Sequence, residues 1–531
     1  MIVLAPIASM FLKSFTAGGR PSLDNYADVL REKRQIGLLV NSLTLGLGTT
    51  ILCLCIGVPL GILLDRTNLP FRDHLAYLFM APLIIPPYMS VIAWIHLLGA
   101  NGVVTTSLTK LLGVGHLGID IYGFDGSIFV LALSYFPFVT LLTVAGLKSV
   151  DRKLEEAAEL THRKWTVLRK ITLPLIAPYV FSAAILVFVF AVSDYTVPDL
   201  LRVNAYPVEI FVQFSAYYNE AKATALSIPL VLMLIVLIAV QRRYMGKRSY
   251  VTVGAASRPR DAVELRRWRP VASGFILVVL GLAVMVPMLD LLVTSGTIQT
   301  YGVAFKTAYR QIGMSLLLAA CAATIMVFLA FVMSYLGERS GKTLNAGLDF
   351  ISLLPFAVPA AVCGIGLSTL WNTHATSFIY TTPVIVVFGY VARFIPFVAR
   401  ATASNIKQIN LNLEEAVMLT EPSWRRRMWA VVVPLAKPGI VAGWVVVFML
   451  AMGELGATLL LTPPGEATLP IRIYTLLHYG ANQLVAALCV ILVLVTLLPI
   501  MAILAFARKG LGRKSLLRSG GDWAGGSACS R

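Results

Sequence analysis

Long apolar runs separated by short polar ones extend along almost the whole chain. Crossing a bilayer core takes about 20 apolar residues in helical conformation. Runs of that kind occupy 36–64, 76–99, 127–147, 178–197 and 223–241, then 270–294, 311–336, 347–371, 379–400, 438–461 and 482–507. A shorter apolar stretch, Met1 to Phe15, precedes them. It lacks the basic start and small-residue cleavage site of a signal peptide. Its Ala5-Pro6-Ile7-Ala8-Ser9-Met10-Phe11 parallels Val286-Pro287-Met288-Leu289-Asp290-Leu291-Leu292, so it reads as the outer part of a first helix whose beginning is absent from the chain. The expectation is an all-α polytopic membrane protein of two parallel repeats, six helices in each.

Composition agrees with this pattern. Of the 531 residues 58% are hydrophobic and only 13% charged, against about 25% charged in a soluble domain. The net charge of +18 raises the question of nucleic acid, but the basic residues form no single face or tract. They fall in loops between apolar runs, as expected where positive charge stays on the cytoplasmic side. Nucleic acid is therefore excluded as a partner, and membrane lipid is expected. The expected divisions are a first transmembrane domain (1–241), a basic cytoplasmic linker (242–269), a second transmembrane domain (270–508) and a basic cytoplasmic tail (509–531). Cys53, Cys55, Cys321, Cys363, Cys489 and Cys529 show no paired spacing, so neither a disulfide framework nor a metal site is expected, and no cofactor is implied.

One polar segment occurs twice. Leu154-Glu155-Glu156-Ala157-Ala158-Glu159-Leu160-Thr161 leads through Trp165 to Pro174 and Pro178, and Leu413-Glu414-Glu415-Ala416-Val417-Met418-Leu419-Thr420 leads through Trp424 to Pro434 and Pro438. Asp151 and Asn410 are good N-cap residues, and the glutamates that follow suit the positive end of the helix dipole. Pro174 and Pro434 are expected to stop the chain before the next span, with Pro178 and Pro438 in the first turn of that span. A short helix results on the cytoplasmic face of each half, offering acidic and apolar side chains to a partner in the water. An amphipathic helix resting at the lipid interface is the alternative, although such helices favour basic residues.

The repeat extends into the membrane. Phe188 to Asp194 aligns with Phe448 to Glu454, Asn41-Ser42-Leu43 with Met314-Ser315-Leu316, and Pro82, Pro86 and Pro87 with Pro355 and Pro359. Asp194 and Glu454 are thus equivalent carboxylates near the outer ends of equivalent spans. Such groups are costly in lipid and face an interior or a cavity, which makes both candidates for a translocation path. Capping a broken helix or pairing with a neighbour is the competing role for either. His96 and Asp290 are secondary candidates.

These stretches resemble the permease subunits of bacterial ABC importers, and most of all the double-length permeases of ferric iron importers. The likeness runs from about residue 20 to 508 and rests on both repeated segments, on Pro82–Trp94, on Ser193–Pro198, and on Glu454–Gly465 with Thr468, Leu469 and Arg472. By that resemblance the repeated segments are EAA-type coupling helices that dock on an ATPase subunit. Glu155, Glu156, Ala157, Ala158, Thr161 and Pro174 would carry the first contact, and Glu414, Glu415, Ala416, Thr420 and Pro434 the second. Glu156 and Glu415 would be the motif glutamates. Thr161 and Thr420 depart from the family's glycine, and Val417 from its second alanine.

The resemblance implies two copies of an ABC ATPase subunit, an extracytoplasmic substrate-binding protein, the bacterial inner membrane and alternating access. The chain contains no G-x-x-x-x-G-K-[ST] loop and is not itself expected to be an enzyme. Thiamine, phosphonate and polyamine permeases share this architecture. A secondary transporter of the major facilitator type is the rival class, and Gly61-Ile-Leu-Leu-Asp65-Arg66 mimics its second-loop motif.

Overall fold

A backbone in lipid must satisfy its own polar groups, which leaves helices as the elements of a chain with this pattern. The computed structural model describes residues 4–17, 20–23, 26–27, 31–70, 72–113, 120–246, 263–340, 344, 347–348, 358–409, 411–420 and 423–519. The first half contains α1 (Leu4–Ser14), α2 (Lys33–Arg66), α3 (Pro87–Leu98), α4 (Val103–Leu112), α5 (Phe124–Ser149), α6 (Arg152–Glu159), α7 (Lys164–Ser193), α8 (Thr196–Leu200), α9 (Tyr206–Ser215) and α10 (Glu220–Gly246). The second contains α11 (Arg266–Ser295), α12 (Ile298–Arg339), α13 (Ala360–Trp371), α14 (Val384–Lys407), α15 (Leu411–Thr420), α16 (Trp424–Met452), α17 (Thr458–Leu461), α18 (Leu469–His478) and α19 (Asn482–Ser519). Thr16–Ala17 and Arg20–Pro21 form a minimal antiparallel ladder after α1.

Ten helices among the described residues are long and apolar enough to span a membrane. With α1 and the shorter α13 they occupy the twelve expected places. The expected Asn410 cap, the Pro355 break, linker residues 247–262 and tail residues 520–531 lie outside the described residues.

Two boundaries differ from expectation. The run at 76–99 is divided, because Pro82, Pro86 and Pro87 produce a short 3-10 turn at Ala81–Leu83 and α3 begins only at Pro87. Pro174 and Pro434 do not end a helix: α7 and α16 run unbroken from Lys164 and Trp424 through both of their prolines. A proline within a helix lacks a donor and crowds the carbonyl four residues back. Each helix absorbs this with a single π turn just ahead of the proline, Leu168–Thr172 in α7 and Met428–Val432 in α16. In the first, the Leu173 N–H reaches the Leu168 carbonyl five residues back, which resets the register.

Within each half the second helix packs along the helix before the repeated segment, α2 on α5 and α12 on α14. Small residues allow the first contact. A Cβ on Gly57 would lie 2.6 Å from Val139, and one on Gly61 2.8 Å from Thr143. The halves also exchange their first helices: α1 lies on α10 and on α13 of the other half, and α11 on α19 and on α3 of the other half. The parallel between Ala5–Phe11 and Val286–Leu292 therefore has a structural basis. Ser14 reinforces it, since its hydroxyl meets the Phe11 carbonyl and the Tyr26 hydroxyl as that of Ser295 meets Leu292 and Tyr301. Ser42 and Ser315 are equivalent as well. Each accepts the first N–H of the outer helix of its own half, from Tyr206 of α9 and Leu469 of α18, at 2.8 Å in both cases.

Replacing Gly57 and Gly61 by valine will separate α2 from α5, at about 1–3 kcal/mol for each overpacked site. The check is thermal unfolding of the detergent-purified chain, with Gly37→Val as control because nothing lies within 4 Å of that position. Equal melting temperatures for the glycine pair variant and the control would remove this contact from the account.

Candidate functional site: coupling helices and translocation path

In α6 the Asp151 side chain accepts the Lys153 N–H at 3.0 Å, forming the expected cap. The two glutamates that follow then point in opposite directions. Glu156, Ala157 and Glu159 are exposed, as are Glu415 and Ala416 of α15, whereas Glu155 and Glu414 are buried. This corrects the expectation that both glutamates of each pair are offered to a partner. The outward face also exposes Leu154, Leu160 and Trp165 in the first half, and Leu413 and Trp424 in the second. Thr161 is exposed just past the end of α6, and Pro174 and Pro434 are exposed on α7 and α16. Ala158 is half-buried, and Thr420 ends α15.

The inward glutamates are held by arginines to which sequence reasoning assigned no such role: Arg66 stood out only within the rival transporter motif, and Arg339 not at all. Arg66, the last residue of α2, meets Glu155 with both guanidinium ends, at 2.9 and 3.0 Å, and donates to the Leu147 carbonyl of α5 at 3.0 Å. Thr172 of α7 donates to the same carboxylate at 2.7 Å. In the second half Arg339, the last residue of α12, pairs with Glu414 and donates to the Ile409 carbonyl, while Tyr335 donates to Glu414 at 3.1 Å. A bidentate Arg–carboxylate pair is geometrically specific. The available signal was the acid–Arg pair closing each second helix, Asp65-Arg66 and Glu338-Arg339. It includes the stretch that mimics the major facilitator motif.

The second constellation lies where α7 and α16 end. Asp194 Oδ1 accepts the Val197 N–H at 3.0 Å and the Thr196 hydroxyl at 2.9 Å, and Oδ2 accepts the Tyr135 hydroxyl at 3.0 Å. Glu454 Oε1 accepts the Ala457 N–H at 2.8 Å and Arg393 Nη1 at 2.6 Å. Each carboxylate thus closes a helix break and takes one partner from the neighbouring span. That partner is a phenol in α5, two residues before Pro137, and a guanidinium in α14, three residues before Pro396. Arg393 was legible as an arginine inside an apolar run.

Asp194 and Glu454 line one cavity of about 100 Å³ between the halves, together with Tyr88, Ser134 and Arg393, which is room for several waters. Tyr88 Oη and Ser193 Oγ are buried in its wall with no hydrogen-bond partner among the described residues. No group of three or more His, Cys, Asp or Glu there or elsewhere among the described residues has metal-ligand geometry. His96 and Asp290 are brought together at 2.7 Å, joining α3 to α11 of the other half. Above the cavity Tyr474 of α18 donates to Asp199 of α8 at 2.7 Å, a further contact between halves. Outside the spans, the Glu32 carboxyl is held below its usual range by hydrogen bonds from Gln35 and then from Lys222.

The chain matches the family described as the binding-protein-dependent transport system inner membrane component twice, over residues 57–246 and 330–513. Each match holds one copy of the repeated surface helix, one arginine–glutamate pair and one capped break. Among similar proteins, the ferric transport system permease protein FbpB of Actinobacillus pleuropneumoniae is 24% identical over 486 residues, covering 86% of this chain and 69% of that protein. An Fe(3+)-transport system permease protein (FbpB 2) of Haemophilus influenzae is 23% identical over 518 residues, covering 96% and 97%. The putrescine transport system permease protein PotI of Escherichia coli K12 is 25% identical over 185 residues, only 34% of this chain. With both halves matched over most of their length, this multi-pass inner-membrane chain belongs to the family of binding-protein-dependent transport permeases.

Proposed function

We propose that the chain is the complete membrane pore of an ATP-driven importer of ferric iron, with one copy supplying both halves and two ATPase subunits engaging α6 and α15. The reading rests on the paired coupling helices, each exposing one glutamate and an apolar rim while its other glutamate is locked to the transmembrane helices. A push on α6 reaches α2, α5 and α7 through the Glu155 cluster, and a push on α15 reaches α12 through Glu414. ATP binding would draw the two coupling helices together and open the path toward a docked extracytoplasmic binding protein. The domain divisions at 241, 269 and 508 follow, with the linker joining the two pore halves. Iron is favoured over polyamine because the ferric relatives run the length of both halves, whereas the putrescine relative matches a third of the chain.

Glu156→Lys combined with Glu415→Lys will abolish uptake and co-purification of the ATPase while leaving the chain inserted. Normal iron uptake by that double variant in membrane vesicles would remove the docking assignment. A different failure is expected from Arg66→Ala with Arg339→Ala. Each leaves a buried carboxylate unpaired, a loss of about 3–5 kcal/mol, so the helices still present their outer face but transmit force poorly. ATPase activity should then persist with little transport, and a proportional fall of both would contradict transmission through these pairs. Asp194→Ala with Glu454→Ala should retain the ATPase in pull-down but reduce uptake, and unchanged uptake kinetics would leave both carboxylates with capping roles alone.

A further inference from the structure

A layer of stacked phenylalanines lies on the cytoplasmic side of the cavity that Asp194 and Glu454 line. Helices α5 and α14 descend from the outer face toward the repeated segments, while α7 rises from them. Phe138 therefore stands one turn cytoplasmic of Tyr135, Phe190 one turn cytoplasmic of Asp194, and Phe397 one turn cytoplasmic of Arg393. Phe138 and Phe190 stack with centroids 5.3 Å apart, and Phe190 stacks across the boundary between the halves on Phe397 at 5.8 Å. Phe394 closes the side at 6.5 Å from Phe397. A void of about 20 Å³ lies beside Phe190, Phe394 and Phe397, bounded also by Ser193 and Arg393.

One turn further along α14 the lining becomes polar again. A cavity of about 520 Å³ is bounded by Arg400, Ser404 and Lys407 of α14, Ser334 and Glu338 of α12, and Tyr179 of α7. It too is shared between the halves and lies at the level of the coupling helices. Both cavities take wall residues from the two halves, the lower one only Tyr179 from the first, and on α14 about one helical turn separates Phe397 from Arg400. The upper cavity contains two buried hydroxyls without partners among the described residues, Tyr88 Oη and Ser193 Oγ, so its walls can take solvent or a polar solute, whereas the stacked rings offer no polar atom. A narrow hydrophobic constriction stops ions by excluding water.

We propose that the Phe138–Phe190–Phe397 stack is the closed gate of the translocation path, separating the upper chamber from the cytoplasmic vestibule. The proposal rests on the transport reading and adds the barrier and its residues. Phe190 belongs to the helix that follows α6, and Phe397 to the helix that precedes α15. Relative movement of the two coupling helices therefore acts on the two rings that meet across the boundary. Parting them would join the cavities without breaking either arginine–glutamate pair.

The test uses the full chain with its native cysteines replaced, in inside-out membrane vesicles, and a membrane-impermeant maleimide added from the cytoplasmic side. Ser193→Cys reports the chamber and Arg400→Cys the vestibule. With the phenylalanines intact, Arg400→Cys should label and Ser193→Cys should be protected. Adding Phe190→Ala and Phe397→Ala should speed labelling at 193 by at least about tenfold, equivalent to about 1.4 kcal/mol. The rate at 400 should stay unchanged, which also shows that the helices remain folded, and leucine at both positions should restore protection. Rapid labelling at 193 with the phenylalanines present would overturn the gate, as would continued protection after both alanine substitutions while 400 still labels. Neither readout needs ATP, a partner or iron, so loss of the importer reading would appear separately, as uptake that is indifferent to the ATPase.

Discussion

The structure depends on a buried ion pair repeated at the cytoplasmic end of each half. Glu155 with Arg66, and Glu414 with Arg339, fasten a short surface helix to the end of a long membrane helix. Burying charge is expensive, and removing one partner strands the other, so these pairs have two well-separated conditions, made or broken, and little between. The neighbouring donors raise the cost of breaking them. Thr172 ties the first carboxylate to α7 and the Leu147 carbonyl ties the arginine to α5, so four elements meet at one carboxylate–guanidinium contact. A helix of eight residues is marginal alone in water. Here it acts as a rigid part because its inner glutamate is anchored and its outer one is exposed.

The same economy appears at the outer ends of α7 and α16. A carboxylate in a span is unfavourable unless its lone pairs are occupied. Asp194 and Glu454 each meet that requirement by accepting the N–H three residues on, which turns the cost of breaking a helix into the means of breaking it. The halves differ in the remaining partner. The Tyr135 phenol brings no charge to Asp194, whereas the Arg393 guanidinium forms an ion pair with Glu454. Two equivalent breaks therefore line one cavity with unlike partners, so its two walls are not interchangeable even though their backbones repeat.

Much of this was legible in the residues because duplication makes a sequence its own comparison. The paired segments from Leu154 and Leu413, the carboxylates at 194 and 454, and the serines at 42 and 315 were visible as repeats. The last now have a shared task in capping α9 and α18. What could not be read was direction. Adjacent glutamates on one turn look alike in sequence, and only the position of Arg66 decides that 155 turns in and 156 out. Pro174 and Pro434 misled for a related reason: a π turn ahead of a proline leaves no mark in composition, so a continuous helix read as a stop. The Asp65-Arg66 pair was noticed only for its likeness to the motif of a rival transporter class, although Glu338-Arg339 repeats it at the end of the equivalent helix. The aromatic stack was hidden because its rings come from α5, α7 and α14, and phenylalanine in an apolar run carries no signal of its own.

The linker adds an asymmetry that the repeats do not predict. Its described end returns to the first half, where Val263 bridges Thr67 and its N–H donates to the Arg66 carbonyl at 2.8 Å, and the Leu265 N–H reaches the Asn68 side chain. Arg66 is therefore held twice, by its side chain to α6 and by its backbone to the segment that opens α11. That helix crosses to pack on α3 of the first half, where Asp290 meets His96. A displacement of α6 consequently has two routes into the membrane. One runs through Glu155 into α2, α5 and α7 of its own half, and the other through the linker into the first helix of the opposite half. Among the described residues no such strap reaches Arg339. In the proposed gate the rings of Phe190 and Phe397 belong to different halves, so movement of the first half alone would part them.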